Sequence, residues 1–297
     1  MKVVSLPASL DFKTYEQVFG EVGEEQDGKV LFDGRHLRFV DPNGMVNLLA
    51  AGSVVRSRMG EAARLEFPEQ SEVAGYMARM GFFRAAEGVF EVVGRPPPRS
   101  EGPSDVLLEV TPITENSDVH EVVDRVQQRA GAILSRKLNY PPTAVVQFSV
   151  ILSEVCQNIL EHAEAPGWVS AQSYNWTQRL GRQVVVISVA DLGRGFRGSL
   201  ADEHSARFGD RWGDATALEA AFIHGLTRFP DSGRGQGIQQ IRKQVRRWGG
   251  LISIRSGTAR IADVPDWEDV PPLQEGLTAF PGSQINIIIP EHAIHDA

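Results

Sequence analysis

Apolar residues after position 115 fall on a helical repeat. Val119, Val122, Val126, Ala130 and Ile133 recur at spacings of three and four. A second stripe opens near Pro141 or Pro142 and runs to about residue 165, with Phe148, Leu152, Val155, Ile159 and Ala163 on one face. The spacing predicts two consecutive amphipathic helices. Runs at residues 169–176 and 183–190 predict a pair of strands. Residues 196–232 are rich in Gly, Asp and Arg and predict a long loop with one helical patch near 215–223. Residues 236–248 place Ile238, Ile241, Val245 and Trp248 on one helical face, and runs at 251–255 and 284–289 close the pattern as strands. Helix, helix, strand pair, loop, helix, strand pair predicts a layer of helices on a mixed sheet.

Upstream the pattern differs. Residues 29–33 (KVLFD) and 36–40 (HLRFV) are short β-type runs. Asp41 then stands as a helix N-cap with Pro42 at the first helical position, and Val46, Leu49, Ala50 and Val54 follow at helical spacing. A strand at 63–67, a helix at 72–80 and a strand at 89–93 complete a small α/β domain over residues 1–93. The sharpest break in composition is GRPPPRSEGPSD at residues 94–105. Three consecutive prolines with Gly and Ser predict a stiff, exposed linker at 94–104, ahead of a second domain over 105–297.

Composition narrows the classes. The 297 residues are 42% apolar and 23% charged, ordinary for a globular protein of two domains. No apolar run reaches the roughly 18 residues of a membrane span, and the N-terminal apolar stretch is too short for a signal peptide. A single cysteine, Cys156, excludes an internal disulfide and a cysteine zinc cage. The reading is a cytoplasmic chain with no membrane contact. A formal charge of −8 argues against a nucleic-acid partner.

Three clusters bear chemistry. Glu154, Asn158 and His162 are spaced by four, on one face of the second helix beside its apolar stripe. A carboxylate and an amide one turn apart can hold a hydrated Mg²⁺ and orient a nucleophile; a solvated helix face has the same pattern. In VADLGRGF, residues 189–196, a strand leads into Asp191, and Gly193 and Gly195 turn the chain. Asp191 could accept a hydrogen bond from an exocyclic amine such as adenine N6, or the segment could be a plain glycine turn. Gly233, Gly235 and Gly237 immediately precede an amphipathic helix, where free N–H groups and the helix dipole suit a phosphate; a flexible loop is the alternative. No G-x-x-x-x-G-K-[ST] motif occurs. The basic run Arg242, Lys243, Arg246 and Arg247 reads as a solvated helix face.

In order and spacing, the three clusters together resemble the N, G1 and G2 boxes of the GHKL (Bergerat-fold, histidine-kinase-like) ATPases. EVCQNILEH is most similar to the anti-sigma-factor serine kinases, which place a His four residues after the Asn. The resemblance implies ATP and Mg²⁺, with Glu154 as general base, Asn158 as the metal ligand and His162 beside the nucleotide. It implies that Asp191 reads adenine, that Gly193 and Gly195 shape the adenine-side turn, and that Gly233, Gly235 and Gly237 close over the phosphates. It makes 196–232 the ATP lid. The later Gly-x-Gly-Thr box is replaced by Phe280-Pro281-Gly282-Ser283, so Ser283 stands for the Thr. Residues 29–83 resemble STAS domains, the anti-anti-sigma fold; Asp41-Pro42-Asn43-Gly44 holds the place of Asp-Ser-Ser-Gly without the phosphorylatable serine. The implied fold is a STAS-like α/β domain followed by a Bergerat α/β sandwich. The implied function is an ATP-ordered switch controlling a protein partner or homodimer. The alternative is an ATPase or a serine kinase acting on a separate STAS-type protein.

Overall fold

The structure is a computed structural model and describes residues 1–23, 28–98, 106–160, 165–176, 180–228 and 237–292. The N-terminal unit comprises β1 (Lys2–Ser5), β2 (Ser9–Leu10), α1 (Tyr15–Gly23), β3 (Val30–Asp33), β4 (Phe39–Val40), α2 (Pro42–Met59), β5 (Ala63–Glu66), α3 (Ser71–Arg79), α4 (Phe82–Ala85) and β6 (Phe90–Val93). Its four-stranded sheet runs β1-β3-β5-β6 with every pairing parallel. β2 and β4 form a separate two-residue pair.

The start of α2 follows the capping pattern. Asp41 takes extended backbone and its Oδ1 accepts the Gly44 N–H at 2.8 Å, while Pro42 occupies the first turn. Gly60, at φ +74°, ends the helix. Every residue from Pro42 to Gly52 is buried. A helix buried on every side over its first three turns, with Asn47 bonding back to Asn43, belongs between two layers, and that is where this part of α2 lies.

The second layer is the C-terminal sheet. Its elements are β7 (Leu108–Ile113), α5 (Asn116–Lys137), α6 (Pro142–Asn158), β8 (Gly167–Trp176), β9 (Arg182–Asp191), α7 (Gly195–Phe208), a 3₁₀ turn at Gly209–Arg211, α8 (Asp214–Phe222), α9 (Gly237–Arg247), β10 (Leu251–Gly257), β11 (Ala259–Asp263), β12 (Leu273–Gln274) and β13 (Phe280–Pro290). The strand order is β12-β11-β10-β13-β9-β8-β7. The expected mixed sheet is instead antiparallel at every pairing, because β8 to β9 and β10 to β11 are joined by short connections that reverse the chain.

Strand alternation gives this sheet two working faces. On β9, Val185, Ile187 and Val189 enter the core beneath α5, α6, α8 and α9, whereas Val184, Val186 and Ala190 enter the core shared with the N-terminal unit. α2 packs across β8 and β9 on that second face. The chain therefore stacks a parallel sheet, a buried helix, an antiparallel sheet and an outer layer of helices.

Two expectations change. Residues 196–211 are not loop: α7 and the 3₁₀ turn occupy them, with Leu200 buried, while the helical patch near 215–223 forms as α8 with Ala217, Leu218, Ala220, Ala221 and Phe222 buried. Charged residues on the exposed side of α7 dilute its pattern in the sequence. β7 also follows directly on the proline segment, where the sequence pattern suggested only a helix to come. Of that segment, residues 99–105 lie outside the described residues.

Candidate functional site

The site forms where the edges of β9, β10 and β13 meet α6, α7 and α9. Alternation already fixes which side chains face it. Asp191 continues the Val185, Ile187, Val189 series on β9, Ser283 stands on β13 one residue beyond the Gln284–Ala190 pair and ahead of Ile285 and Ile287, and Ser256 continues the Ile252, Ile254 series on β10. All three therefore point toward the helical layer.

A β-bulge aims them. Ser256 pairs with Ser283 but Gly257 pairs with Phe280, so Pro281 and Gly282 are extra residues on β13. The bulge drives Gly282 onto Asp191. Gly282 has φ +73°, and a Cβ there would sit 2.0 Å from the Asp191 carbonyl oxygen, a position open to glycine alone. The next residue, Ser283, donates its hydroxyl to Asp191 Oδ2, and the Gly193 N–H donates to Asp191 Oδ1 at 2.9 Å. Asp191 is 4% exposed. Burial pushes its carboxyl above the usual carboxylate range, and the bonds from Ser283 and Gly193 pull it back down.

The turn after β9 is pinned in the same way. Gly195 has φ +64°, and a Cβ there would meet Ser256 Oγ at 2.5 Å. The Phe196 N–H donates to Ser256 Oγ at 3.0 Å, and Ser256 donates to the Gly282 carbonyl at 3.0 Å. One serine thus ties the first turn of α7 to the bulge.

Asp191, Gly195, Phe196 and Ser283 line a cavity that encloses, together with the open solvent at its mouth, about 620 Å³ of space. Asn158, Asp191, Gly195 and Ser283 supply its polar or open positions. Phe196, Leu200, Leu226, Ile238 and Ile285 supply apolar walls. The Asn158 Nδ2 atom is buried and has no hydrogen-bond partner among the described residues. Since the two ends of an amide are assigned from their bonds, the side chain offers the cavity either a donor or an acceptor. A buried amide left open toward a cavity is suited to a ligand.

Glu154 stands one turn before Asn158 on α6, at the start of α9. A Cβ on Gly237 would come within 2.3 Å of Glu154 Oε2, so the carboxylate lies against the backbone that follows the glycine-rich segment. The structure thus joins Asn158, Asp191, Gly195 and Ser283 around the cavity, sets Gly193 behind Asp191, and seats Gly237 against Glu154. His162, Gly233 and Gly235 lie outside the described residues. Among the described residues, no three His, Cys, Asp or Glu side chains gather as a metal site. A Mg²⁺ ion at Asn158 would therefore take its other oxygens from ligand and water, as that ion commonly does.

The sequence pattern does not mark Ser256 and Gly282 as site residues. A Ser-Gly pair ending a strand and a Pro-Gly-Ser step opening one carry only weak turn signals. Arg242 is also not a solvated residue. It bonds Asp263 at 2.7 and 3.0 Å and the Phe222 carbonyl at 2.9 Å, tying α9 to β11 and to the end of α8.

No protein-family model matches the chain, and no curated protein matches it. Among solved structures, the chain is similar to the histidine kinase domain from Erythrobacter litoralis EL346 blue-light activated histidine kinase, at 14% identity and a TM-score of 0.27, over 93% of this chain and 92% of that one. No described helix is long and apolar enough to cross a membrane.

Proposed function

We propose that the cavity binds ATP with Mg²⁺ in the manner of the GHKL ATPases, and that nucleotide occupancy governs a protein–protein interaction. The observation that carries this reading is the convergence of Asn158, Asp191, Gly195 and Ser283, four positions scattered over more than a hundred residues, on one apolar slot. Within it, Asp191 is held as an acceptor by Ser283 and Gly193, suited to an exocyclic amine such as adenine N6. Apolar side chains flank the carboxylate and suit the faces of a planar base. Asn158 would contribute to the metal, while the segment before Gly237 would lie along the phosphates at a helix N-terminus. The N-terminal unit is read as STAS-like on its parallel sheet and its Asp41-capped helix; residues 1–93, 94–104 and 105–297 would be its domain, the linker and the nucleotide domain. The partner would be an anti-sigma-pathway type of protein or a second copy of the chain, met in the cytoplasm. Titration calorimetry with ATP, GTP and ADP, each with and without Mg²⁺, tests the reading; no heat with any nucleotide would remove it.

A second reading is supported by the position of Glu154. On this reading, the Glu154 carboxylate, one turn from Asn158 and against Gly237, would serve as general base for hydrolysis or for phosphoryl transfer to a protein serine. Incubation with γ-labelled ATP, separating free phosphate from phosphoprotein, distinguishes enzyme from switch.

A further inference from the structure

Arg255 is a charged side chain with no exposed surface. It lies on β10 on the face covered by the N-terminal unit. Its Nε donates to Glu16 Oε1 at 2.8 Å, its Nη1 donates to the Gly257 carbonyl at 2.9 Å and its Nη2 to the Thr278 carbonyl. The guanidinium also lies over the rings of Phe19, at 5.2 Å, and Phe280, at 5.7 Å. Those two rings stack at 3.6 Å with their planes 5° apart. Glu16 and Phe19 belong to α1, and Phe280 opens β13. A buried guanidinium is tolerated only when its donors and charge are met, and here α1 supplies the carboxylate.

The two strand residues of this clamp, Arg255 and Phe280, stand next in the chain to groups that hold the cavity wall. Ser256 follows Arg255 and faces the other way, holding the Phe196 N–H and the Gly282 carbonyl. Gly282 and Ser283 follow Phe280 within three residues and hold Asp191. The interface itself also carries buried polar cost. Gln284 and Asn286 alternate with Ile285 and Ile287 and so face the N-terminal unit, and Gln284 Oε1 and Asn286 Nδ2 are buried without partners among the described residues. A contact with unmet polar groups is held by less than its apolar area suggests, which suits an interface that can be shifted.

We propose that Arg255 and Ser256 form a coupling element through which docking of α1 on one face of the sheet positions the lip of the cavity on the other. Arg255 is a positioning residue: with Glu16 and the Phe19–Phe280 stack in place, β10 holds Ser256 under Phe196, and the first turn of α7 stays closed against the bulge. When the α1 contact loosens, Ser256 shifts with its strand and α7 loses its anchor. Coupling is reciprocal, so whatever fills the cavity also tightens α1. The consequence for ligand affinity rests on the nucleotide reading above; the mechanical link does not.

The test uses the full chain as Glu16→Gln, which keeps the shape and removes the charge, and as Phe19→Leu. Hydrogen exchange at residues 196–200 is followed without ligand, with residues 119–126 on α5, remote from Arg255, as an internal reference. The expected result is faster exchange at 196–200 by about threefold or more in both variants, a size typical of coupling between linked sites, with the reference unchanged. A double cycle of Glu16→Gln with Ser256→Ala should be non-additive at the same amides. Wild-type exchange at 196–200 in both folded variants, or full additivity, overturns the link. If the link holds and no nucleotide binds the wild type, the coupling stands and the nucleotide reading falls.

Discussion

Ser283 donates its hydroxyl hydrogen bond to Asp191 across the β13–β9 pairing, at the one register position where a bulge frees Gly282 to touch the Asp191 backbone. That bond and the one from the Gly193 N–H fix the carboxylate's direction at the cavity wall. Ser283→Ala should weaken nucleotide binding by about tenfold or more, the usual cost of losing a hydrogen bond to a charged group. Ser283→Thr keeps the hydroxyl and should bind within a small factor of wild type. Calorimetric affinities for the two variants check this; equal losses in both would mean the hydroxyl is not the relevant group.

Gly282→Ala should be among the most disruptive single-methyl changes in the chain. The added Cβ would fall 2.0 Å from the Asp191 carbonyl oxygen at a backbone φ of +73°. Strain at such a position costs on the order of 1–3 kcal/mol before the clash is counted. Gly60→Ala, at φ +74° with nothing near the new methyl, carries the backbone cost alone. Thermal unfolding of the pair separates the two effects, and equal midpoints would contradict the close approach.

Much of this arrangement is legible in the sequence. The α6 stripe, the Asp41 cap and the strand ending at Asp191 follow from local periodicity and capping chemistry, and each forms near where the pattern places it. The bulge at Gly282 and the role of Ser256 do not, because both depend on register between β10 and β13, strands over twenty residues apart. α8 forms where the apolar patch near 215–223 places it, whereas α7 does not show in the pattern because its buried face is narrow and its glycines and charges imitate a loop. The Arg255–Glu16 pair joins positions 239 residues apart, so no local rule can find it.

Asp41 supplies a pH signature for the docked N-terminal unit. Its carboxyl is buried at the head of α2 and pushed up to about 8, chiefly by burial, with Asp11 adding to the rise and the Gly44 and Asn43 N–H groups opposing it. A raised folded pKa means the folded state holds the proton more tightly. That contribution to stability is fully present below the ordinary carboxylate pKa of about 4 and is lost as pH rises through the folded value. Asn can make the same cap without a charge. Asp41→Asn should therefore gain on wild type as pH goes from 5 to 8 and hold a constant margin beyond about 9. A pH-independent difference in unfolding midpoint would contradict the buried, protonated carboxyl.

Glu154→Ala should keep nucleotide affinity while lowering any turnover by about 10²–10⁴-fold, the range for a general base. Asn158→Ala should lose both, since the metal would go with it. Steady-state phosphate release and calorimetry on the same preparations read the two effects apart. A wild-type protein that neither hydrolyses ATP nor transfers phosphate to any protein leaves the switch without the enzyme.

The most direct measurement is a calorimetric titration of wild type and Asp191→Asn with ATP and Mg²⁺, alongside GTP. Asn at this position presents an amide that can keep the Gly193 contact but removes the charge and half the accepting capacity of the buried carboxylate. The account predicts saturable binding of ATP in preference to GTP by wild type, sharply weaker binding without Mg²⁺, and no measurable ATP binding by a folded Asp191→Asn. ATP binding by Asp191→Asn equal to that of wild type would contradict the assignment of this cavity to adenine.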